Sequence, residues 1–186
     1  MRPTREEAER AVATLIAYLG EDPHREGLAD TPRRVIEAWG EYVSGYGRDP
    51  VQALGEPLPA GDARGQLVVL RKASFFSHCE HHLAPFFGTA TVAFIAAGRL
   101  VGVGHLAELV DVLARRLQIQ ERLTQEIAEV LERVLEPEGV FVMLDATHSC
   151  MTMRGPCKTA ARVRTVVRRG ALAHTSALLE RGLLGE

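Results

Sequence analysis

The spacing of apolar residues near the start of the chain predicts two amphipathic helices. Between residues 4 and 20 the apolar side chains recur three and four positions apart, which places them in one stripe along a helix. Gly20 is expected to end this helix. Thr31-Pro32 predicts an N-cap followed by a proline at the first position of a second helix, which would end near Gly45. These two helices either cap the domain or pack against another subunit.

The remaining pattern predicts strands that alternate with pairs of helices. Strands are expected at 66–73, 88–95, 139–146 and 161–168, with a short extra strand at 99–103. Helices are expected at 105–117, 120–135 and 171–182. Residues 47–65 are rich in glycine, proline and charge and are interpreted as a linker. The prediction is therefore an α+β fold with an antiparallel sheet, organised as a helical arm at 1–46, a linker at 47–65 and a sheet domain at 66–186.

Composition and charge exclude several classes of protein. Apolar residues make up 46% of the 186 residues, which is enough for a hydrophobic core, and the formal net charge is −2. A nucleic-acid-binding protein would usually be basic. No apolar run approaches the roughly 20 residues that a membrane-spanning helix needs. Three cysteines and no signal peptide predict a reducing cytoplasm in which thiols serve as ligands.

Cysteine and histidine cluster at two places in the chain, Ser77-His78-Cys79-Glu80-His81-His82 and Thr147-His148-Ser149-Cys150. Two thiolates and an imidazole suit zinc, and three protein ligands leave one tetrahedral position open for water, as in catalytic zinc sites. Scattered buried thiols and surface imidazoles would not explain this clustering. The pattern predicts a zinc hydrolase with Cys79, His82 and Cys150 as ligands. His81 and His148 flank the ligands and are candidates for proton transfer.

Further motifs extend over nearly the whole chain. They are Gly20-Glu21-Asp22-Pro23 with Arg25-Glu26-Gly27-Leu28, Thr31-Pro32-Arg33-Arg34-Val35, Cys79-Glu80-His81-His82-Leu83 with Pro85-Phe86-Phe87-Gly88, residues 118–124, and His148-Ser149-Cys150-Met151 with Met153-Arg154-Gly155. In this order they resemble the GTP cyclohydrolase I family, the first enzyme of the folate and tetrahydrobiopterin pathways. The combination of Cys-Glu-His-His with a downstream His-x-Cys is the most specific part of the resemblance.

The resemblance implies a fold and an assembly. Members of this family have a tunnelling fold (T-fold), in which two helices lie over a four-stranded antiparallel sheet. They associate into pentameric rings, and two rings stack as a toroidal homodecamer with active sites at subunit interfaces. The expected partners are a purine substrate and further copies of the chain, with neither nucleic acid nor a membrane.

The resemblance also implies a reaction. Water activated by zinc on Cys79, His82 and Cys150 attacks C8 of the guanine ring of GTP, and the products are 7,8-dihydroneopterin triphosphate and formate. His148 protonates the purine N7, and His81 moves protons during ring opening. Other family positions fall on substrate-binding and orienting side chains: Glu121 for the guanine N1 and N2 donors, Gln120 as a second purine contact, Arg154 and Arg34 for phosphate, and Glu80 for orienting its neighbours.

The chain departs from the family pattern where the triphosphate is held. The family usually reads Gly-Leu-Ser-Lys-Leu/Ile-x-Arg, whereas this chain has Gly102-Val103-Gly104-His105-Leu106-Ala107-Glu108. Gly104, His105 and Glu108 thus replace a serine, a lysine and an arginine that grip the triphosphate. Glu37 also stands where some members carry a lysine. The loss of two cations and the gain of a carboxylate are expected to weaken triphosphate binding by several kcal/mol.

The sequence leaves three functions open. The first is a GTP cyclohydrolase I that has rebuilt its phosphate contacts from basic side chains, namely Arg34, Arg71, Lys72, His105, Arg154 and Lys158. The second is a paralogue that opens the same guanine ring on a ligand with fewer phosphates, such as GMP, guanosine or a modified purine. The third is a T-fold protein that binds a purine or pterin without turnover. Retention of the zinc ligands together with His81 and His148 speaks against the third.

Overall fold

The structure is a computed structural model that describes residues 2–174 and 181–182. It contains two compact units, Met1–Val43 and Ser44–Glu186. The helices are α1 (Arg5–Tyr18), α2 (Thr31–Tyr42), α3 (Pro50–Ala53), α4 (Val103–Ala114), α5 (Gln120–Leu135) and α6 (Ser149–Thr152). The strands are β1 (Leu58–Pro59), β2 (Leu67–Cys79), β3 (Pro85–Ile95), β4 (Arg99–Leu100), β5 (Leu117–Gln118), β6 (Gly139–His148) and β7 (Val163–Gly170).

The first unit consists of α1 and α2, close to the two helices expected from the apolar spacing. Thr4 caps α1, since its side chain accepts from the backbone of Glu7 while the Glu7 carboxylate accepts from the backbone of Thr4. Arg5 of α1 donates to Glu37 of α2 at 2.8 Å, and Arg33 donates to the same carboxylate at 2.9 Å. Glu37 is therefore neutralised within this unit.

The second unit is built on a five-stranded sheet in the order β5-β2-β3-β6-β7. Strands β2, β3, β6 and β7 pair antiparallel, and the two-residue β5 pairs parallel with the end of β2. A bulge interrupts the β2–β3 register between Leu70 and Ala73, where Lys72 adopts a φ of 56°. Strands β1 and β4 form a separate two-stranded ladder.

Helices α4 and α5 cover one face of this sheet and bury its core. Alternate residues of the central strands, such as Val92 and Val142, contribute side chains to that face, as expected from the two-residue period of a strand. Leu109 of α4 and Ile127 and Leu131 of α5 are fully buried against them. This arrangement confirms the expected fold class, α+β with two helices over an antiparallel sheet, which is the architecture of the T-fold. None of the helices in the described part of the chain combines the length and apolar character of a membrane span.

Three expectations need correction. Strand β2 extends beyond the strand expected at 66–73 and continues through Ser77 and His78, so the first zinc-ligand candidate, Cys79, ends a strand. The segment 47–65 contains α3, β1 and short 3-10 turns, and Leu54 within it is fully buried in the main core. The helix expected at 171–182 lies mostly outside the described residues, and 171–174 form a turn. The domain boundaries expected at 46 and 65 stay a prediction.

The buried position of Leu54 gives the segment before the sheet a measurable role in stability. We expect Leu54→Ala to lower the free energy of unfolding by about 2–5 kcal/mol, since it removes a fully buried side chain. The control Leu58→Ala alters a side chain that is 60% exposed and should change stability by no more than about 0.5 kcal/mol. Thermal and urea unfolding would compare the two. Equal midpoints for both variants would show that the segment is a passive linker.

Candidate functional site

The register of three strands brings the two cysteine–histidine clusters to the same end of the sheet. Phe86 of β3 lies opposite Ser77 of β2 on one side and opposite His148 of β6 on the other. Cys79 follows two residues after Ser77, and Cys150 follows two residues after His148. The sheet therefore joins clusters that are far apart in the sequence.

A tight turn after β2 presents the two histidines of the first cluster. The Cys79 N–H donates to the Ala84 carbonyl at 2.8 Å, and the Leu83 N–H donates to the Cys79 carbonyl at 2.8 Å. Leu83 closes the turn in the left-handed region, with a φ of 53°. His81 and His82 are exposed on this turn, whereas Cys79 is buried behind it.

Cys79, His82 and Cys150 form a group that could hold a metal ion. One ligand atom from each lies within 4.8 Å of the others. The Cys79 Sγ and His82 Nδ1 atoms are 3.8 Å apart. Zinc–sulfur and zinc–nitrogen bond lengths set a tetrahedral ligand–ligand edge of about 3.5–3.8 Å, so the separation fits. His81 Nδ1 is also 3.8 Å from Cys79 Sγ, but His81 is not part of the three-residue group.

The electrostatics of the two thiols also favour a bound cation. Burial raises the pKa of the Cys150 thiol, and the neighbouring Cys79 raises it further. Two thiolates at this separation repel each other, and a cation between them removes the repulsion and stabilises both deprotonated forms. The residues present therefore fit a divalent metal ion with a preference for sulfur and nitrogen ligands.

His148 is held rigidly beside this group. Its ring stacks on Phe86, with centroids 4.6 Å apart and planes 3° from parallel. Its Nε2 lies 2.7 Å from Oε1 of Gln120. Burial lowers the pKa of His148, while the nearby Glu121 carboxylate acts in the opposite direction. The neutral imidazole is therefore the favoured form near pH 7.

The first two residues of α5 contribute to the site in different ways. Gln120 is 1% exposed, and its side-chain amide is fully engaged by protein groups. A contact between this residue and a purine would have to be made by its backbone. Glu121 is exposed and close enough to His148 to influence the pKa of that ring. Its carboxylate is therefore available to a ligand, and its guanine contact stays a prediction.

Glu80 is tied to α5 by an arginine that the sequence reasoning did not single out. Arg122 donates to the Glu80 carboxylate at 2.5 Å, to the Leu117 carbonyl at 3.0 Å and to the Gln118 side chain at 2.9 Å. The Glu80 N–H in turn donates to the Gln118 carbonyl at 3.1 Å. These contacts fix the turn that carries His81 and His82. Gln118 ends β5 and Arg122 lies in the first turn of α5, so no helical spacing in the sequence indicated these contacts.

The substituted phosphate segment forms the first half of α4. Helix α4 is 12 residues long, so His105 lies about 13–14 Å and Glu108 about 9 Å along the helix from the end that leads into β5 beside Cys79. Glu108 forms an ion pair with Arg48 and lies 3.5 Å from Nδ1 of His105. The same His105 nitrogen is 3.1 Å from the Ala53 carbonyl oxygen. Hydrogen bonding to Arg48 lowers the pKa of Glu108, so its charge is compensated locally.

Within the second unit, the basic residues proposed for a rebuilt phosphate site do not form one cluster. Arg154 is exposed and near enough to Cys150 to affect its pKa. Arg71 and Lys72 precede Cys79 by seven or eight residues on β2, a distance of about 23–26 Å along a strand. Arg34 lies in the first unit, where it pairs with Asp30 at 3.1 Å. Phosphate binding by these residues stays a prediction.

Comparisons with known proteins agree with the motifs. The family model for GTP cyclohydrolase I matches residues 8–183. The GTP cyclohydrolase 1 of Allorhizobium ampelinum is 48% identical over 88% of this chain and 82% of its own length. That of Leifsonia xyli subsp. xyli is 45% identical over 92% of this chain and 90% of its own. Among solved structures, an archaeosine synthase QueF-Like in the apo form gives a TM-score of 0.45 at 20% identity over 56% of this chain and 94% of its own.

The three-residue group predicts where metal binding will fail. We expect Cys150→Ser to lose most of its bound metal, because a hydroxyl replaces one of two thiolate ligands. The matched control is Cys157→Ser, which alters the exposed third cysteine and should keep the metal. Metal content per chain, measured by mass spectrometry after gel filtration, would compare the two. Equal metal content in both variants would remove Cys150 from the ligand set.

Proposed function

Because the chain belongs to the GTP cyclohydrolase I family, we propose that it hydrolyses the guanine ring of GTP to give 7,8-dihydroneopterin triphosphate and formate. The observation that carries this proposal is one constellation at one end of the sheet. It combines a metal-ligand group of two thiols and an imidazole with a half-buried, oriented histidine and an exposed carboxylate. A protein that only bound a purine would have no use for this combination.

Zinc is the metal that we propose for Cys79, His82 and Cys150. Two thiolates and one imidazole are ligands that zinc prefers, and a set of three is typical of a catalytic site. When bound, zinc would supply a Lewis acid that makes hydroxide available near neutral pH. Exposed His82 and half-buried Cys150 leave this side of the group open to a substrate. A reducing cytoplasm, in which thiols persist as ligands, is the compartment that we propose.

The chain's own residues divide the remaining work. His148, held beside the metal group, takes up a proton and donates it to N7 of the purine, which makes C8 more electrophilic. His81, exposed on the neighbouring turn, moves protons as the ring opens. Glu121 accepts hydrogen bonds from the N1 and N2 donors of guanine. Adenine lacks this pair of donors and would leave the carboxylate without partners, which gives strong discrimination.

A second subunit is proposed to complete the site. His105 lies in the first turn of α4, about 13–14 Å along the helix from the end that leads into β5 beside Cys79. Strand β5 covers only His78 and Cys79 of the outer edge of β2, and β7 forms the opposite edge of the sheet. Uncovered strand edges of this kind favour pairing with further copies of the chain. Both features support the ring-shaped homodecamer implied by the family, with its sites between subunits.

A second candidate function rests on the altered phosphate segment. His105 and Glu108 stand where the family places a lysine and an arginine, and Glu108 engages Arg48 in an ion pair. Such a segment offers less positive charge to a triphosphate, which favours a substrate with fewer phosphates such as GMP or guanosine. The ring-opening chemistry would be the same in both cases.

Turnover of four substrates separates these two functions. Formate release by the zinc-loaded protein would be measured on GTP, GDP, GMP and guanosine, with fluorescence of the oxidised pterin followed in parallel. We expect the highest kcat/KM on GTP, since family members are named for that substrate. A higher kcat/KM on GMP or guanosine would establish the paralogue, and no formate from any of the four would reject both functions.

The proposed role of Glu121 can be tested on the same helix. We expect Glu121→Gln to lower kcat/KM for GTP by at least about 100-fold, because the charged acceptor of two hydrogen bonds is lost. Glu129→Gln is the matched control, since Glu129 is also exposed on α5 but lies more than two turns away. Steady-state kinetics would give kcat/KM for GTP in both variants. Similar values of kcat/KM for the two would show that Glu121 does not recognise guanine.

A further inference from the structure

The side-chain amide of Gln120 has one defined orientation. Its Nε2 lies 3.1 Å from the Leu144 carbonyl oxygen, 3.0 Å from the Val163 carbonyl oxygen and 3.1 Å from Oγ1 of Thr165. A carbonyl oxygen can only accept a hydrogen bond, so the atom that faces two of them must be the NH₂ group. The remaining atom of the amide, which points at His148, is therefore the oxygen.

This orientation decides which nitrogen of His148 carries hydrogen. The Gln120 Oε1 atom lies 2.7 Å from His148 Nε2 and can only accept. His148 must therefore donate from Nε2, and the neutral ring has its lone pair on Nδ1. No side-chain hydrogen bond engages Nδ1 within the part of the chain that the structure describes.

Two threonines complete a consistent set of donors behind the amide. The Thr124 hydroxyl donates to the Gln120 backbone carbonyl at 2.7 Å, and its oxygen lies 2.6 Å from the Thr165 hydroxyl. With the Thr124 hydrogen already committed, Thr165 donates to Thr124 and keeps a lone pair for the Gln120 amide. In the reverse arrangement the single Thr124 hydrogen would go to Thr165, and the Gln120 backbone carbonyl would lose its bond from the Thr124 hydroxyl. The network therefore supports a single hydrogen-bond pattern.

Packing also fixes the orientation of the His148 ring. Phe86 is fully buried and stacks on His148 with planes 3° from parallel, which fixes the plane of the imidazole. Gln120 also excludes the orientation in which the ring is turned by 180° about its bond to Cβ, because the flipped ring would place a carbon atom against Oε1. Phe86 is itself packed edge-on against Phe75 at 6.1 Å.

We propose that Gln120 is a positioning residue for His148, which holds the neutral imidazole as the Nε2–H tautomer and so leaves Nδ1 to exchange protons with the substrate. This inference rests on the proposed catalytic role of His148. It gives Gln120 a function different from the purine contact implied by the family resemblance. In this role Gln120 acts on the reaction only through the orientation and tautomer of the histidine.

The test compares three glutamine variants in the zinc-loaded protein. Gln120→Leu removes both the acceptor and the donor, whereas Gln120→Glu keeps an acceptor oxygen in either protonation state. Gln125→Leu is the control, since Gln125 is exposed on the same helix. The tautomer of His148 would be observed by solid-state NMR of ¹⁵N-histidine-labelled protein at pH 8, with the signal assigned from His148→Asn.

The expected results differ for each role of Gln120. Under the proposal, the unmodified protein, Gln120→Glu and Gln125→Leu show the Nε2–H tautomer, and Gln120→Leu shows Nδ1–H or a mixture. Gln120→Leu then lowers kcat by about 10- to 100-fold with little change in KM for GTP. A raised KM with an unchanged tautomer would identify a purine contact and overturn the proposal. Lowered thermal stability with an unchanged tautomer and kcat would identify a purely structural residue.

The design also separates this inference from the proposed function. If Gln120→Leu does not fold, Gln120→Glu still tests the proposal. This variant keeps an acceptor oxygen beside His148 Nε2, so an Nδ1–H tautomer in it would show that the acceptor does not set the tautomer. If the unmodified protein releases no formate from GTP, the proposed function fails while the NMR signals still report whether Gln120 sets the tautomer. An Nδ1–H tautomer in the unmodified protein would overturn the inference whatever the activity.

Discussion

The backbone pairing of β3 with its two neighbours is the constraint on which the site depends. Phe86 stands opposite both Ser77 and His148, so the ends of β2 and β6 are aligned across β3. Two strand spacings separate them, about 9–10 Å, and the chains that follow turn toward each other over this gap. A slip of one residue in either register would move Cys79 or His148 to the opposite face of the sheet. The metal ligands are therefore positioned by strand pairing as much as by their own turn.

The same pairing explains why one face of the site is rigid and the other open. Phe86 is fully buried and stacks on His148, and Gln120 holds the edge of that ring from the first turn of α5. The next residue on the helix, Glu121, is exposed. A helix turns by about 100° per residue, so adjacent positions can serve an interior and a surface. Helix α5 thus orients the proposed proton-transfer group and presents a carboxylate to the ligand with consecutive residues.

Sequence patterns predicted local features well and long-range contacts poorly. The apolar stripe of α5 predicted its bounds, because a helix with one buried face has a strong period. The clustering of cysteine and histidine predicted the group Cys79, His82 and Cys150 that the structure brings together. The pair Arg48–Glu108 joins residues that are 60 positions apart, and no local pattern encodes such a contact. Leu54 was missed for a related reason, since its burial depends on tertiary packing within a segment that lacks periodicity.

The pair Arg48–Glu108 also changes how the altered phosphate segment should be understood. An isolated carboxylate at this position would repel a triphosphate, but Glu108 has an arginine against it and a histidine 3.5 Å away. The repulsion that remains is that of a dipolar pair, which weakens with distance faster than the field of a single charge. What the segment lacks is free positive charge, because Arg48 is engaged with Glu108. The cations that meet a substrate's phosphates must then come from residues without carboxylate partners. Exposed Arg154, which lies close enough to Cys150 to affect the pKa of its thiol, has no carboxylate partner within the part of the chain that the structure describes and is such a residue.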